Sequence, residues 1–108
     1  MTRLSSYTRI VGPEVAVGGL TMQVAVELFG IPRARAGTAQ TSAVGSNLGD
    51  VLADLARRFP PLAETCIDGR SLRAGYVVNL SAQRFVTSPE TPLAEGDTVL
   101  LLSLDAGG

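Results

Sequence analysis

The feature that most constrains the fold is an apolar run near the end of the chain, "TVLLLSL" at residues 98–104. Side chains alternate between the two faces of a strand, and here both faces are largely apolar: Val99 and Leu101 on one, and Leu100, Leu102 and Leu104 on the other. If this strand lies centrally in a sheet, a hairpin alone cannot pair it. We therefore expect it to run parallel to the first strand of the chain, beneath a helix that covers Val99 and Leu101.

The three leucines of the second face have two interpretations. They stand on the open side of the sheet near Phe29, and these four side chains then form a candidate surface for binding another protein. Alternatively, a loop, the N-terminal segment or a second copy of the chain covers them.

The composition excludes several classes of function. The 108 residues suffice for one domain, and a formal charge of -1 with scattered basic residues gives no pull toward nucleic acid. With Cys66 as the single cysteine and no histidine, an internal disulfide and a cysteine-based metal cluster are excluded. The missing histidine also removes the commonest general base, so we do not expect an enzyme. No apolar segment is long enough to cross a membrane, and we expect a cytoplasmic protein.

The first half of the chain predicts two strands and a helix. Alternation in "MQVAVELFG" predicts a first strand whose core-facing side chains are Val24, Val26 and Leu28. The turn-forming residues Gly30, Pro32 and Gly37 predict a hairpin that leads to a second strand around residues 38–44. Asn47 is a good N-cap for the helix that follows, and Asp50 favours its N-terminus. The apolar residues at helical spacing are Leu48, Val51, Leu52, Leu55, Ala56 and Phe59.

The second half predicts three further strands. Pro60 and Pro61 end the helix, a short turn or helix follows through residues 62–67, and "DGR" at 68–70 marks a loop. Strands are predicted at residues 76–80, around Phe85 and Val86, and at 98–104, with turns at 88–92 and 95–97. The predicted order is β-β-α-β-β-β.

Three segments divide the chain. Residues 1–21 show no sustained period, and we interpret them as a loose N-terminal extension, with Met22 as a hypothetical natural start. Residues 22–104 form the predicted domain. Residues 105–108, Asp105, Ala106, Gly107 and Gly108, form a thin flexible tail that reaches about 13 Å when extended. A terminal carboxylate is ionised at neutral pH and is a poor electrophile, so any chemistry on this tail needs activation by a partner.

The stretch from Met22 to Gly108 resembles the ThiS/MoaD family of ubiquitin-like sulfur carrier proteins, which includes the small subunit of molybdopterin synthase and the thiamine sulfur carrier. "VELFGIPRARAG" is similar to the family's first strand and turn, "LGDVLADLARRFP" to its helix and "YVVNL" to its third strand. The most discriminating part is "TPLAEGDTVLLLSLDAGG", which resembles the closing signature of Thr-Pro-Leu, Gly-Asp, an apolar strand and terminal Gly-Gly. The resemblance implies an α+β fold of the ubiquitin-like β-grasp type, a mixed sheet packed on one main helix.

The resemblance also implies a chemistry for the tail. A ubiquitin-activating-like enzyme adenylates the carboxylate of Gly108 with ATP, a sulfur donor such as a sulfurtransferase converts it to a thiocarboxylate, and the sulfur passes to an accepting synthase. Asp105, Ala106 and Gly107 are then the tail residues that enter the partner's site. The ATP and magnesium belong to the activating enzyme, so the resemblance implies no cofactor or metal bound by this chain itself. The sequence does not choose among cofactor, cysteine, natural-product and tRNA thiolation pathways.

Two other functions remain open. The chain could be a ubiquitin-like modifier that is joined through Gly108 to lysines of target proteins; its own nine basic residues are all arginine, which prevents side-chain self-conjugation. It could also be a β-grasp interaction module whose tail is incidental, since fold alone does not determine function.

Overall fold

The strand at residues 98–103 lies in the centre of a five-stranded mixed sheet. The computed structural model describes residues 22–104, so the predicted extension at 1–21 and the tail at 105–108 lie outside the described residues. The elements in chain order are β1 (Gln23–Leu28), α1 (Gly30–Ala36), β2 (Gln40–Val44), α2 (Leu48–Arg58), α3 (Pro60–Thr65), β3 (Ile67–Asp68), β4 (Ser71–Leu72), β5 (Tyr76–Leu80), β6 (Arg84–Val86) and β7 (Thr98–Ser103).

The sheet has the strand order β2-β1-β7-β5-β6. β7 runs parallel to β1, with Leu28 beside Leu101, and antiparallel to β5, with Tyr76 opposite Ser103. The central, parallel position expected for the last strand is therefore confirmed. A parallel pair needs a crossover, and the chain between β1 and β7 supplies it by placing the helices over one face of the sheet.

The core lies between that face and α2. Val99 and Leu101 of β7 are fully buried, as the alternation in the sequence predicts. The other fully buried side chains of this layer come from β1, α2 and their neighbours: Val26, Leu28, Leu48, Val51, Leu52, Leu55, Leu62, Ile67 and Val78. A mixed sheet with one long helix packed across it is the β-grasp arrangement that the resemblance implies.

The helix α2 begins and ends as its sequence predicts. The side chain of Asn47 accepts a hydrogen bond from the backbone N–H of Asp50 at 2.8 Å, which satisfies one of the donors that a helix N-terminus leaves unpaired. Pro60 then stands at the start of α3, a position where proline costs no hydrogen bond. The short helix expected between residues 62 and 67 is α3, and it begins earlier, at Pro60.

The predicted hairpin turn between the first two strands is wrong. β1 and β2 do pair antiparallel, but the seven-residue helix α1 connects them. Pro32 is tolerated because it lies in the first turn of α1, where its missing N–H has no helical partner. Gly37 ends the helix in a left-handed conformation, with a φ of 80°, and its N–H donates to Arg33 O. The residues interpreted as turn formers are therefore the boundaries of a helix.

The loop predicted at residues 68–70 is the turn of a small hairpin. β3 and β4 pair antiparallel as a separate two-stranded sheet, and both contact α2. Two-residue strands are too short to show alternation in the sequence, so this hairpin left no periodic signal. Among residues 22–104, no helix is long and apolar enough to span a bilayer.

Candidate functional site

The parallel strands β1 and β7 end at the same edge of the sheet, which we call the tail end. Leu104, the last described residue, donates its N–H to Gly75 O at 2.7 Å. On the other side of β7, Phe29 donates its N–H to Leu101 O at 3.1 Å. Gly75 has a φ of +94°, a conformation that glycine adopts without strain. The base of the tail is therefore held between the β1–α1 junction and the loop that precedes β5.

The predicted partner surface lies on the sheet face opposite the helices. Leu100 and Leu102 are half-buried there, and their neighbours in β7 on either side point into the core. Leu104 is 66% exposed and Phe29 is 40% exposed. These four side chains therefore lie at least partly exposed on the face away from the helices, and their role as a partner surface stays a prediction.

Two further apolar side chains belong to this face, and the sequence analysis missed both. Val77 lies opposite Leu102 and is only 5% exposed, while its neighbour Val78 packs into the core on the other side of β5. Phe85 of β6 is 64% exposed and lies opposite Asn79. Alternation within "YVVNL" could have placed Val77 on the outside, because Tyr76, Val78 and Leu80 form the inner set. We use the name open face for Phe29, Val77, Phe85, Leu100, Leu102 and Leu104.

Two polar side chains interrupt the open face. Glu27 lies between Gln40 of β2 and Leu100 of β7 in the strand register. Asn79 lies between Leu100 and Phe85, and its Oδ1 atom is buried without a hydrogen-bond partner in the described part of the chain. The open face is therefore an apolar band with one carboxylate and one amide within it, a mixture common in protein–protein interfaces.

The helix α1 adds charge to the tail end. Its residues Arg33 and Arg35 are exposed, and Ile31 at its start is 41% exposed. α1 contacts α3 and β7, so these side chains stand beside the exit of the tail. Arg73, in the loop after β4, donates to Ala63 O at 2.7 Å and adds a third cation at this end.

The opposite edge of the sheet, which we call the far end, holds a polar cluster around the start of α2. The guanidinium of Arg70 donates to Asn47 Oδ1 at 3.1 Å and to Asp50 Oδ1 at 3.2 Å, and it lies 3.6 Å from Glu90 Oε2. Gly49 permits this approach, because a Cβ atom there would lie 2.7 Å from the Arg70 guanidinium carbon. These contacts join α2 to the β3–β4 hairpin and to the loop before β7, and we assign them to the stability of the fold.

Reactive groups are scarce in the described domain. Cys66 is fully buried, with its sulfur 3.3 Å from the Thr65 hydroxyl, so it is not accessible to a substrate in this conformation. Within residues 22–104, no three His, Cys, Asp or Glu side chains gather as metal ligands would. The predicted tail residues, Asp105, Ala106, Gly107 and Gly108, lie outside the described residues, so their roles stay predictions.

Comparison with known proteins supports the fold described above. A model of the ThiS family matches residues 26–108, whereas no curated protein sequence matches the chain. The structure is similar to SAMP1 from Haloferax volcanii, with a TM-score of 0.66, 21% identity, and coverage of 80% of this chain and 99% of that one. It is similar to small archaeal modifier protein 1 from Methanosarcina acetivorans, with a TM-score of 0.66, 25% identity, and coverage of 82% and 98%.

A third similar structure is a chain of the BexX/CysO complex from Amycolatopsis orientalis, with a TM-score of 0.64, 21% identity, and coverage of 79% of this chain and 99% of that one. These likenesses establish the fold, and the family match extends from the middle of β1 to the last residue of the sequence. The chain belongs to the ThiS family and has the ubiquitin-like β-grasp fold.

Proposed function

We propose that this protein is a sulfur carrier whose C-terminal glycine, Gly108, is adenylated by a partner enzyme and then converted to a thiocarboxylate. Membership of the ThiS family, with a match that runs through Gly108, is the observation that carries the proposal. The position of β7 supports it. A central strand held on both sides is a rigid base from which residues 105–108 can reach a partner's site.

The chemistry has two steps, and both take place in partner enzymes. A carboxylate oxygen of Gly108 attacks the α-phosphorus of ATP, pyrophosphate leaves, and an acyl adenylate forms. A sulfur nucleophile such as hydrosulfide then attacks the acyl carbon, AMP leaves with its bonding electron pair, and a thiocarboxylate remains. The ATP and its magnesium are held by the activating enzyme. A sulfurtransferase is the proposed sulfur donor, a biosynthetic synthase is the proposed acceptor, and the cytoplasm, which supplies ATP, is the proposed location.

This chain contributes positioning to that chemistry. The open face offers apolar area for docking, and the hydrogen bonds of Phe29 and Leu104 hold the base of the tail. Gly107 and Gly108 have no side chains, so they can pass through a narrow channel and bring the carboxylate to the nucleotide without steric conflict.

Intact mass measurement tests the proposal. The protein is incubated with the activating enzyme of its host, ATP, magnesium and sulfide, and the expected result is a mass increase equal to the exchange of one oxygen for one sulfur. The matched controls are a chain without Gly108 and a chain with one alanine added after it. Both are expected to show no increase, because the reacting carboxylate is displaced. Loading of either control, or failure to load the wild type, contradicts the carrier function.

A second function, protein modification, is favoured by one observation: two of the similar structures are named small archaeal modifier protein 1 or SAMP1. In this case the activated carboxyl of Gly108 is joined to lysine amines of target proteins. Recovery of isopeptide-linked adducts of this protein from native lysate supports modification. If cells keep full activity after Gly107 and Gly108 are deleted, both functions are contradicted and the chain acts as an interaction module.

A further inference from the structure

We propose that the tail end of this protein docks onto an acidic surface of its activating enzyme, and that Arg33 and Arg35 of α1 make this contact. The inference rests on the proposed function and adds to it the chemistry of the surface that the partner presents. Four observations support it. The two guanidinium groups have no bonding partner within residues 22–104, they lie near the base of the tail, they have exposed apolar neighbours, and charge is distributed unequally over the domain.

The two guanidinium groups have no partner within the described domain. Neither the Arg33 nor the Arg35 side chain forms a hydrogen bond or an ion pair with any residue of 22–104. Most other described arginines are engaged: Arg57 and Arg58 with Asp54, Arg70 with Asp50 and Glu90, and Arg73 with Ala63 O. Within residues 22–104, the two charges therefore remain available to a partner, apart from the favourable position of both arginines in the last turn of α1.

Their position is beside the exit of the tail. Pro32, between Ile31 and Arg33, is the buried residue of α1, so the side of the helix that carries Pro32 packs against the rest of the domain. Residues two apart on a helix point in nearly opposite directions, and Arg33 and Arg35 accordingly flank the buried side. Since α1 contacts β7, a partner that receives the tail must approach this helix.

Their neighbours are the exposed apolar side chains of the tail end. Phe29 and Leu104 belong to the open face, and Ile31 continues the apolar area onto α1. Arginine beside exposed aromatic and aliphatic side chains is the composition that is enriched in the energetically important parts of interfaces. The arginines and the open face can thus form one continuous contact.

Charge is distributed unequally between the two ends. The far end carries four of the eight described carboxylates, Asp50, Glu90, Glu95 and Asp97, against two arginines, Arg70 and Arg84; Asp50 and Glu90 pair with Arg70. The tail end carries Arg33, Arg35 and Arg73, with Glu64 of α3 as the nearby acid, and Asp105 follows Leu104 directly in the sequence. The whole chain has a formal charge of -1, so this cationic end does not follow from a basic composition. Such a dipolar distribution orients the encounter, because an acidic partner surface attracts the tail end and repels the far end.

A protein is the anionic partner that fits these observations. A site for nucleic acid normally has a broad basic surface. Here two arginines adjoin an apolar face on a chain of net negative charge. Carboxylates around the mouth of the tail-receiving channel would pair with the arginines and leave the apolar area to the open face.

The test compares charge reversal at the two ends. The variants are Arg33→Glu, Arg35→Glu and the neutral Arg33→Gln, and the matched control is Arg84→Glu, an exposed far-end arginine that also forms no ion pair within residues 22–104. Pyrophosphate release by the host's activating enzyme gives kcat and KM for each variant, at about 0.01 M and about 0.15 M salt, where the Debye length is about 30 Å and about 8 Å. Circular dichroism confirms that each variant is folded.

The expected result is a selective change in KM. Arg33→Glu and Arg35→Glu raise KM by about 10-fold at low salt with kcat unchanged, Arg33→Gln has a smaller effect, and Arg84→Glu stays within about 2-fold. Added salt raises the wild-type KM and narrows the difference between wild type and variants.

Two results overturn the inference while the proposed function stands. If the wild type is loaded but the tail-end variants match it in KM, or if Arg84→Glu raises KM as much as they do, the arginines are not docking residues. Binding of a single-stranded oligonucleotide by the wild type, lost in the tail-end variants, assigns them to nucleic acid instead. Failure of the wild type to be loaded at all is a failure of the proposed function and is recognised in the mass assay.

Discussion

Ala82 adopts a backbone conformation that its side chain disfavours. The turn between β5 and β6 is closed by a hydrogen bond from Gln83 N–H to Leu80 O, and its two central residues have positive φ angles, 56° for Ser81 and 61° for Ala82. Two hydrogen bonds stabilise the conformation of Ser81: its hydroxyl donates to Asp97 Oδ1 at 2.9 Å and accepts from Thr98 N–H at 3.1 Å. The exposed Ala82 makes no such bond, so its conformation is stabilised only by its neighbours.

Replacing Ala82 with glycine is expected to stabilise the protein by about 1 kcal/mol, because the left-handed conformation costs an L-residue roughly 1 to 2 kcal/mol and glycine much less. Chemical denaturation of the A82G variant checks this value. Ala74 is a suitable control, since it is also exposed in a turn but lacks a positive φ. The A74G variant is expected to be slightly less stable than the wild type, because glycine there only adds freedom to the unfolded chain.

Leu55 represents the core residues that spacing along the chain reveals. It is fully buried between α2 and the sheet, as its place on the apolar stripe predicts. Leu55→Ala is expected to lower the free energy of unfolding by about 2 to 5 kcal/mol, the usual cost of a lost side chain plus the remaining cavity. Leu104→Ala, at a site that is 66% exposed, is expected to cost less than about 0.5 kcal/mol. Equal losses for the two variants would show that the tail end is packed in solution.

At the residue scale, the sequence predicts burial better than backbone strain. Leu55 could be placed because several apolar residues share its spacing and reinforce one another. The strained turn could not be predicted from the sequence, because its central residues are Ser81 and Ala82 and not the glycine or asparagine that normally mark a positive φ. What holds the turn is Asp97, sixteen positions after Ser81 in sequence, and no local pattern reveals such a contact.

At the scale of elements, side chains of α2 close the outer edge of β2. This strand ends the sheet, and an edge strand leaves backbone groups able to pair with another chain. Asp54 Oδ2 accepts from Val44 N–H at 3.0 Å, and Arg58 donates to Ser42 O. At the start of the strand, the Thr38 hydroxyl donates to Gln40 O at 3.0 Å. These contacts occupy backbone groups of β2, so the addition of a strand from another chain is disfavoured at this edge.

Asp54 gives this closure a pH dependence. Burial acts to raise the pKa of its carboxyl, but the hydrogen bond from Val44 N–H and the charges of Arg58 and Arg57 outweigh it, so the pKa lies below its ordinary value. A carboxyl whose pKa is lowered by folding stabilises the native state above its unfolded pKa, about 3.9, and this contribution is lost as the pH falls through the lower folded value.

The Asp54→Ala variant is expected to lose about 1.5 to 3 kcal/mol at pH 7, the range for a hydrogen bond to a charged group. The difference from the wild type is expected to shrink in acid, below the folded pKa of Asp54, because the wild type then loses the same interaction. Urea denaturation at neutral and acidic pH measures both values. Asp68→Ala, an exposed change on β3, is the control and is expected to have little effect at either pH. A difference that stays constant with pH would mean that the charge of Asp54 is not involved.

The elements themselves were predictable to different degrees. α2 combines a cap, a long apolar stripe and two terminal prolines, and these independent signals agree on its position. α1 has seven residues with a glycine at each boundary and a proline within its first turn, so its composition is that of a turn. Its helical state follows from packing against α3 and β7, contacts between segments that are distant in the sequence.

At the scale of the whole molecule, the two apolar faces of β7 determine both its place in the sheet and the position of the candidate site. Because both of its faces are apolar, the strand belongs in the centre of the sheet, and its inner face completes the core. Its outer face then supplies Leu100 and Leu102 to the open face, and its parallel pairing with β1 brings Phe29 to the tail end. The sequence predicted these placements, whereas Val77, Phe85 and the arginines of α1 joined the site only once the sheet order and the helix were known.

The domain boundary at Met22 can be tested on the whole molecule. The carbonyl of Met22 accepts a hydrogen bond from Gly45 N–H at 2.8 Å, and its side chain packs against the core. If the domain begins here, a chain of residues 22–108 is expected to match the full chain in free energy of unfolding within about 0.5 kcal/mol, because it keeps every described core side chain. A chain of residues 25–108 loses Val24, which is buried in β1, and is expected to be less stable by at least about 1 kcal/mol.

The same pair of chains distinguishes the two interpretations of the leucines on β7. If residues 1–21 cover the open face, their removal exposes apolar area, which lowers stability and raises the binding of a hydrophobic dye. If the open face is a docking surface, removal leaves both stability and dye binding unchanged, and loading of Gly108 proceeds at the same rate. We expect the second result. A loss of more than about 1 kcal/mol in the chain of residues 22–108 would instead make the N-terminal segment part of the folded domain, and partners would have to displace it to reach Leu100 and Leu102.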